Sequence, residues 1–425
     1  MTKKILIRFG DMMLKGKNIG FFIKKVRAHL VSKLKDLEVK YEFTHDRIFI
    51  SFDEKDEQTI LKRLDQIQGL YSYSVVYVAE PKFEDIIDKA IQVLNIEIKT
   101  EMVRLKIETR RTDKTFPMTS LEITQAIASR ILSGAEKKFI VDVRHPEEVL
   151  NIDLRRDIAY IYLKSYKGMG GYPFGTAGKG LLMMSGGIDS PIAAYLSMKQ
   201  GIDIELFHFE STPLTPLESV QKVIDLTKIL AEFTPSGMIV LHLVPFTKIH
   251  EEVLAKVFDP YIITVMRRMM YRLAERFARK KKLLCIINGE SVGQVASQTL
   301  NSMQVVEAVT KIPILRPLIT YDKQEIVDIS KRIGTYETSI RPFNDCCSIY
   351  VPKSPVTKPM EVYALKYEEN IDYDTLILEA IKNVKTLEIS GTTDLVISDY
   401  GFTVKESLDT YEKEMMTDAD HIQTK

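Results

Sequence analysis

One stretch of sequence, residues 180–191, limits the possible folds of this chain more than any other. It reads Gly-Leu-Leu-Met-Met-Ser-Gly-Gly-Ile-Asp-Ser-Pro, which is typical of an apolar strand, a tight turn and the first turn of a helix. Proline suits a first helical turn because an N–H there has no partner within the helix. Gly186 and Gly187 let the backbone bend sharply and approach a ligand closely. Since backbone N–H groups at a helix start bind anions, the stretch predicts a phosphate site in an α/β domain.

The polar residues of this loop fit a metal-bound polyphosphate better than a bare phosphate. Ser185 and Ser190 add hydroxyl donors, whereas the Asp189 carboxylate would repel phosphate unless a Mg²⁺ ion lay between them. The sequence contains neither G-x-x-x-x-G-K-S/T nor a G-x-G-x-x-G that follows a strand, which excludes two common nucleotide-binding loops. A tight strand-to-helix turn without a ligand is the alternative.

The order of apolar runs divides the chain into regions. From residue 180 onward, runs that fit buried strands alternate with helical segments, as in a parallel sheet covered on both faces. Before residue 166, shorter strands and amphipathic helices, one of them over residues 21–37, predict two small α+β units. We therefore predict a multidomain α/β protein in which a doubly wound parallel-sheet domain follows two small α+β domains. The predicted boundaries are 1–58 and 59–166 for the α+β domains, 167–178 for a linker, 179–395 for the parallel-sheet domain and 396–425 for an acidic C-terminal tail. The end of that tail, roughly residues 405–425, is polar and expected to be frayed.

Composition and charge exclude several classes of protein. Hydrophobic residues make up 45% and charged residues 28% of the chain, which excludes overall disorder. No apolar run approaches the roughly 18 residues of a membrane span, and the N-terminus lacks a signal-peptide pattern, so we expect a cytoplasmic protein. Residues 361–425 hold 6 Lys and Arg against 15 Asp and Glu, and residues 1–360 hold 53 against 43. A basic body with an acidic tail is compatible with nucleic acid binding, although a solvated charged surface is the simpler explanation.

The three cysteines differ in their surroundings. An odd number, with two of them adjacent, excludes both a disulfide framework and a four-thiolate zinc site. Cys285 lies within an apolar strand and is expected to be inert. Cys346 and Cys347 lie in a proline-bounded loop, where an accessible thiol has room to react.

The loop and its flanking motifs resemble a known family. Ser-Gly-Gly-Ile-Asp-Ser resembles the loop of the ATP-pyrophosphatases, which cleave ATP between its α- and β-phosphates and transfer AMP to a substrate oxygen. Five further stretches resemble the tRNA 4-thiouridine synthetases (ThiI). These are IRFGDMMLKGKN at 7–18, RRTDKTFP at 110–117, GESVGQVASQT at 289–299, RPLITYDKQEI at 316–326 and DCCSIYVPKSPVTKP at 345–359.

This resemblance implies a domain order, a reaction and partners. The domains would be an N-terminal ferredoxin-like domain, a THUMP RNA-binding domain and an ATP-pyrophosphatase domain. The reaction would use ATP and Mg²⁺ to adenylate O4 of the uridine at position 8 of tRNA. Persulfide sulfur from a cysteine desulfurase would then replace AMP and give 4-thiouridine. The family also implies a homodimer.

The resemblance also implies which residues act. Asp189 and Lys323 would be catalytic, with Lys323 as the cation beside the developing pyrophosphate. The nucleotide would lie at the carboxyl ends of the strands, where such sheets bind ligands. Its predicted site consists of Met183, Met184, Ser185, Gly186, Gly187, Asp189, Ser190, His208, Phe209, Arg267, Gly289 and Gln298.

The resemblance implies a cysteine as the sulfur carrier. Cys347 aligns better with the cysteine of the family motif, and Cys346 is the alternative. Longer members carry a C-terminal rhodanese domain whose cysteine accepts the persulfide. Only about 35 residues follow the pyrophosphatase region here, so we expect a form that lacks that domain.

RNA contacts are expected from basic residues of the first two domains and from one long helix of the third. The candidates are Lys15, Lys17, Arg110, Arg111, Lys114, Arg268 and Arg272. Other functions remain open from sequence alone. They are a tRNA 2-thiolase, an amidating ligase of the same superfamily, a sulfur-carrier step in thiamin thiazole synthesis and a non-catalytic RNA-binding protein.

Overall fold

The computed structural model describes residues 2–10, 13, 16–112, 116–134, 137–295, 297–343, 352 and 354–423. The chain divides into two compact units, residues 1–171 and 172–425. The strands are β1 (Lys3–Phe9), β2 (Lys40–Phe43), β3 (Arg47–Ser51), β4 (Leu70–Ala79), β5 (Met102–Arg111), β6 (Lys138–Val141), β7 (Glu148–Leu154), β8 (Ala159–Tyr162), β9 (Tyr166–Lys167), β10 (Lys179–Met183), β11 (Asp203–Glu210), β12 (Met238–Pro245), β13 (Ile286–Ile287), β14 (Ile314–Leu315) and β15 (Lys385–Ser390). The helices are α1 (Ile19–Lys33), α2 (Glu57–Leu64), α3 (Phe83–Glu97), α4 (Ser120–Gly134), α5 (Asp189–Lys199), α6 (Leu217–Ala231), α7 (Thr247–Lys256), α8 (Ile262–Lys281), α9 (Leu300–Glu307), α10 (Lys323–Ile333), α11 (Tyr336–Ser339), α12 (Glu361–Glu368), α13 (Tyr373–Lys382) and α14 (Val404–Gln423).

The described part of the first unit forms one nine-stranded sheet. Its order is β2-β3-β1-β4-β8-β7-β5-β6, with β9 paired to β4. Pairing is antiparallel except for β5, which runs parallel to both β6 and β7. β1 pairs with β3 on one side and with β4 on the other, so the two predicted α+β domains share a continuous sheet.

Helices of the first unit bury their apolar faces on this sheet. α3 and α4 contribute apolar side chains that are almost fully buried, including Ile86, Leu94, Ile123 and Ile127. Removing that much apolar area from water is the main term that holds such a layer together. The helix predicted over 21–37 corresponds to α1, which ends at Lys33, four residues before the predicted end.

The sheet of the first unit extends to Lys167, the first residue of the predicted linker. Tyr166 and Lys167 form β9, and the Tyr166 ring stacks on Tyr73 with 5.4 Å between ring centroids. Cross-strand pairs of this kind stabilise a sheet even where the strand is short.

The described part of the second unit contains a six-stranded sheet of order β14-β13-β10-β11-β12-β15. The first five strands are parallel, and β15 joins β12 in antiparallel orientation. α8 packs its buried Val265, Met269 and Leu273 into the same core as Leu181 and Phe207 of the sheet. α5 and α6 contact β10, β11 and β12. This confirms the predicted doubly wound α/β class, with one antiparallel edge strand that the sequence pattern did not predict.

The acidic tail differs from its prediction. Residues 404–423 form α14 rather than a frayed segment, and Leu408 is fully buried while Val404 is 2% exposed. In the part of the chain that the structure describes, no helix combines the length and the apolar character that crossing a bilayer requires.

Candidate active site

Hydrogen bonds to one hydroxyl group hold the turn between β10 and α5 in shape. Ser190, only 4% exposed, donates from Oγ to the Ser185 carbonyl at 2.9 Å and accepts the Ser185 N–H at 2.9 Å. The Gly187 N–H donates to the Ser185 Oγ at 3.3 Å. The loop shape is therefore set by its own residues before any ligand binds, which is the preorganisation that an anion site needs.

Gly289 brings a second strand end against this loop. A Cβ built on Gly289 would lie 2.8 Å from the Asp189 carbonyl carbon and 2.9 Å from the Ser190 nitrogen. Both are backbone atoms, which cannot move aside as a flexible side chain can. Gly289, two residues after β13, thus lies closer to the start of α5 than a residue with a side chain could.

Asp189 and Lys323 meet at the start of two helices. The Lys323 Nζ lies 2.8 Å from Asp189 Oδ1, and Gln294 donates from Nε2 to Oδ2 at 3.0 Å. Lys323 is the first residue of α10, whose start is fixed by a capping box between Asp322 and Glu325. The structure therefore joins two predicted residues that are 134 positions apart in sequence. Gln294 was not predicted individually, although it lies in the quoted stretch 289–299.

A cavity of about 730 Å³ opens beside this pair at the carboxyl ends of the parallel strands. Most predicted nucleotide-site residues line it. These are Met183, Met184, Ser185, Asp189, Ser190, His208, Phe209, Arg267, Gly289 and Gln298. Gly186 and Gly187 belong to the turn and are not among the lining residues. Apolar side chains of α8 that were not predicted, Ile263, Met266 and Met270, complete one wall.

Two polar side chains that line the cavity differ in their hydrogen bonding. His208 is 2% exposed, and its Nδ1 lies 2.9 Å from the Met184 carbonyl. Because a carbonyl only accepts, Nδ1 carries the hydrogen, and the ring ties β11 to the loop. In contrast, the buried Oε1 of Gln298 has no donor among the described residues. Since a buried acceptor without a donor costs free energy, Gln298 is suited to an N–H or O–H group of a ligand.

The Glu290 carboxylate lies between two arginines beside the strand ends. Glu290 binds the Arg267 guanidinium through Oε1 and the Arg316 Nε through Oε2 at 2.9 Å. Asn288 also donates to Glu290 Oε2 at 3.0 Å. Arg267 reaches onward to the Ser297 carbonyl, next to Gln298. Motif spacing did not predict this cluster, because its members come from separate elements.

The predicted RNA contacts on α8 need correction. Arg268 is 1% exposed, and its guanidinium binds the Glu368 carboxylate of α12 at 2.5 and 3.1 Å. Arg272 binds the same carboxylate at 2.8 Å and lies over the Tyr373 ring. The i, i+4 spacing described a face that α12 and α13 cover, so Arg268 is part of the core rather than an RNA contact.

The basic candidates of the first unit have varied surroundings. Lys17 and Arg110 are exposed, whereas Arg111 uses its guanidinium to bind the carbonyls of Phe116 and Met118. Lys15 and Lys114 lie outside the described residues. Of the three candidates that the structure describes here, Lys17 and Arg110 have the exposed surface that a phosphate contact requires.

Of the three cysteines, the structure describes Cys285. Cys285 is 8% exposed, and burial raises the pKa of its thiol to about 11. A thiol that stays protonated near neutral pH is a poor nucleophile, which confirms the inert interpretation. Cys346 and Cys347, the predicted sulfur carriers, lie outside the described residues.

Taken together, the parallel sheet, the loop before α5 and the cavity at the strand ends define a nucleotide-binding α/β domain of the pyrophosphatase-loop class. Comparison with known families agrees. The family described as "Thiamine biosynthesis protein (ThiI)" matches residues 175–373, the "ThiI ferredoxin-like domain" matches 4–74 and the "THUMP domain" matches 80–164.

Relatives of similar length align with almost the whole chain. A "Probable tRNA sulfurtransferase" of Acholeplasma laidlawii is 55% identical over 97% of this chain and 100% of its own length. One of Macrococcus caseolyticus is 43% identical over 92% of this chain and 96% of its own. The crystal structure of a 4-thiouridine synthetase–RNA complex with bound ATP superposes with a TM-score of 0.80 at 32% identity, covering 92% of this chain and 100% of that one. The chain belongs to the ThiI family of tRNA sulfurtransferases.

Proposed function

We propose that this chain uses ATP to adenylate O4 of the uridine at position 8 of tRNA. It then replaces the adenylated oxygen with sulfur, which gives 4-thiouridine. The observation that carries this proposal is the Asp189–Lys323 pair at the mouth of a cavity whose loop is preorganised for phosphate. The likeness to a 4-thiouridine synthetase that holds both ATP and RNA supports it.

The adenine nucleotide would fill the cavity. Ser185 and the N–H groups at the start of α5 face the position of the phosphates, where fixed donors stabilise the charge that develops as pyrophosphate leaves. The apolar wall of α8 suits a base, and the orphaned Gln298 Oε1 suits a nucleotide donor. Lys323 would supply a positive charge beside Asp189, and its side chain is half exposed.

Mg²⁺ would come with the nucleotide. Among the described residues, no group of three His, Cys, Asp or Glu side chains is placed to hold a metal ion. Mg²⁺ is commonly held by one or two carboxylates together with substrate phosphates and water. Asp189 is the carboxylate in position for that role, and the ion would neutralise phosphate charge beside it.

Sulfur transfer would follow adenylation. A cysteine desulfurase would load sulfur on Cys347 or Cys346 as a persulfide. The terminal sulfur would bond to C4 of the uracil while AMP leaves with O4. A second thiol, supplied by the adjacent cysteine, would then attack the carrier Sγ, so that the S–S bond breaks and its outer sulfur stays on C4 as the thiocarbonyl. An external thiol would reduce the resulting disulfide before the next turnover.

The first unit would bind the tRNA. The THUMP match at 80–164 and the exposed Lys17 and Arg110 support an RNA surface there. A homodimer would let one subunit hold the acceptor end of a tRNA for the active site of the other, as the family resemblance implies.

The role of Asp189 is tested with Asp189→Asn. We expect tRNA-dependent release of pyrophosphate from ATP to fall at least about 100-fold, because a group that acts on the transition state contributes several kcal/mol. tRNA affinity, measured by filter binding, should stay unchanged since Asp189 lies in the nucleotide cavity. Pyrophosphate release at the wild-type rate would overturn the assignment.

A further inference from the structure

The Asp189 carboxylate is held from two sides by side chains of different segments. The Lys323 Nζ lies 2.8 Å from Oδ1, and the Gln294 amide donates to Oδ2 at 3.0 Å. The chemistry proposed above uses the lysine but gives the amide no role. The terminal torsion of an aspartate has no sharp preference, so a carboxylate held at one oxygen alone can still turn. A donor on each oxygen fixes the plane of the group as well as its place.

The two donors are carried by segments that are hydrogen-bonded to each other. Ser291 donates from Oγ to the Tyr321 carbonyl at 3.0 Å, and the N–H of the residue after Ser291 donates to the Ile319 carbonyl at 3.2 Å. Tyr321 lies two residues before Lys323, and Ser291 lies three residues before Gln294. The bonded segments therefore set the spacing between the amide and the ammonium group on either side of the carboxylate.

A further backbone contact ties Gln294 to the nucleotide cavity. The N–H of the preceding residue, Gly293, donates to the Gln298 carbonyl at 2.9 Å. Gly293 has a φ of +79°, which glycine adopts without strain. Gln298 lines the cavity, and its buried Oε1 has no donor among the described residues. The turn before Gln294 is thus held by a residue that we assign to the nucleotide.

The exposure of Gln294 separates its effect on the site from its effect on the fold. Its side chain is exposed, whereas the Asp189 side chain is 24% exposed. A hydrogen bond from an exposed amide adds little to stability, because water replaces it when it breaks. The consequence of this bond therefore lies in the orientation of the carboxylate.

We propose that Gln294 is a positioning residue for the cleavage of ATP, because its amide fixes the Asp189 carboxylate through Oδ2 while Lys323 pairs with Oδ1. This inference rests on the proposed function. When the half-exposed Lys323 side chain turns to the phosphates, Gln294 keeps the carboxylate in place. Charged groups that are already oriented lower a barrier, since they need no rearrangement as charge develops.

Gln294→Met tests this role, because it removes the amide at nearly constant side-chain length. We expect kcat for tRNA-dependent pyrophosphate release to fall at least about tenfold, since a small misplacement of a catalytic group has effects of that size. The KM for ATP should stay within about twofold of the wild-type value, because Gln294 is not among the residues that line the cavity. Calorimetry should likewise find an unchanged Kd for α,β-methylene-ATP, which cannot be cleaved at that bond.

Two further variants complete the experiment. Gln294→Glu keeps the shape of the side chain but sets a second carboxylate against Asp189, so kcat should fall further, at least about thirtyfold. Gln324→Met is the matched control, since Gln324 is also an exposed glutamine whose amide donates to an aspartate, Asp328 of its own helix, at 2.8 Å. We expect it to leave kcat, KM and the Kd of the analogue unchanged.

The outcomes separate this inference from the proposed function. A loss of kcat in both Gln294 variants at unchanged KM and Kd, with Gln324→Met like wild type, supports the positioning role. A wild-type kcat in Gln294→Met overturns it. A fall in kcat that comes with weaker analogue binding or with easier urea unfolding of the free protein also overturns it, since that pattern indicates general damage. If wild-type protein releases pyrophosphate with tRNA but makes no 4-thiouridine from sulfide, the proposed function fails and the role of Gln294 does not.

Discussion

The absence of a Cβ at Gly289 lets the chain after β13 lie directly against the loop before α5. Gly289 faces the backbone of Asp189 and Ser190 at distances below 3.0 Å for a built Cβ. The loop before α5 and the chain that follows β13 are therefore in backbone contact. The geometry of the Asp189–Lys323 pair depends on this contact.

Gly289→Ala is predicted to impair the site more than the fold. The methyl group would push the start of α5 away from the strand end, at a cost of about 1–3 kcal/mol for overpacking. We expect the KM for ATP to rise at least about tenfold in pyrophosphate-release assays, because loop N–H groups move by tenths of an ångström or more. Gly391→Ala is the matched control, since its Cβ would meet nothing closer than 3.9 Å. Equal KM values for the two variants would contradict this account.

Glu210 links stability to pH at the end of β11. Its carboxyl is 7% exposed, and burial raises its pKa although the Thr212 N–H and hydroxyl donate to it at 2.8 and 2.7 Å. A carboxyl with a raised folded pKa stabilises the protein fully below the pKa of unfolded glutamate, and this stabilisation is lost as the pH rises through the folded value.

Glu210→Gln should remove this pH dependence, because an amide oxygen accepts the same two hydrogen bonds without charge. We expect the unfolding free energy of the variant, relative to wild type, to increase between about pH 4 and about pH 8. Urea unfolding at the two pH values measures it. A difference that stays constant with pH, or one that falls, would show that Glu210 ionises without cost.

At the scale of elements, α8 serves both the cavity and the core. One face presents Met266, Arg267 and Met270 to the cavity, and another carries Arg268 and Arg272 to the Glu368 carboxylate of α12. The spacing of arginines along the helix predicted a charged stripe correctly. It did not show that a later helix would cover the stripe, because a pattern of period 3.6 defines faces and not their partners.

Arg268→Met is predicted to destabilise the second unit without affecting RNA binding. Among the described residues it leaves Glu368, 2% exposed, with Arg272 alone as a cationic partner at short distance, and breaking a buried pair in this way costs about 3–5 kcal/mol. Arg268→Met combined with Glu368→Leu should recover most of that loss. Urea unfolding and tRNA filter binding measure the two effects. Weakened tRNA binding at unchanged stability would instead support the original RNA-contact prediction.

The sequence predicted those parts of the site that local pattern determines. The strand, turn and helix around Gly186 and Gly187 follow from residue types, and family motifs brought in Lys323 and Gln298. The Glu290 cluster and the Asp189–Gln294 bond were missed, since each depends on contacts between elements far apart in sequence. The antiparallel edge strand β15 was missed for a similar reason: its partner, β12, lies well over 100 residues earlier.

At the scale of the whole molecule, the chain combines an RNA-binding class of domain with a nucleotide-binding one. The shared sheet of the first unit joins the regions that match the ferredoxin-like and THUMP families. The second unit carries the nucleotide cavity by itself, because every residue that lines it lies between Met183 and Pro355. This division predicts that adenylation chemistry belongs to the second unit and depends on the first for its RNA substrate.

Mass spectrometry of unmodified tRNA tests the central claim most directly. The tRNA is incubated with the protein, ATP, Mg²⁺ and sulfide, digested to nucleosides and compared with a reaction that contains Asp189→Asn protein. The account predicts 4-thiouridine at position 8 with wild-type protein only. ATP consumption without 4-thiouridine, or sulfur at C2 of another uridine, would contradict it and assign the same nucleotide chemistry to a different acceptor.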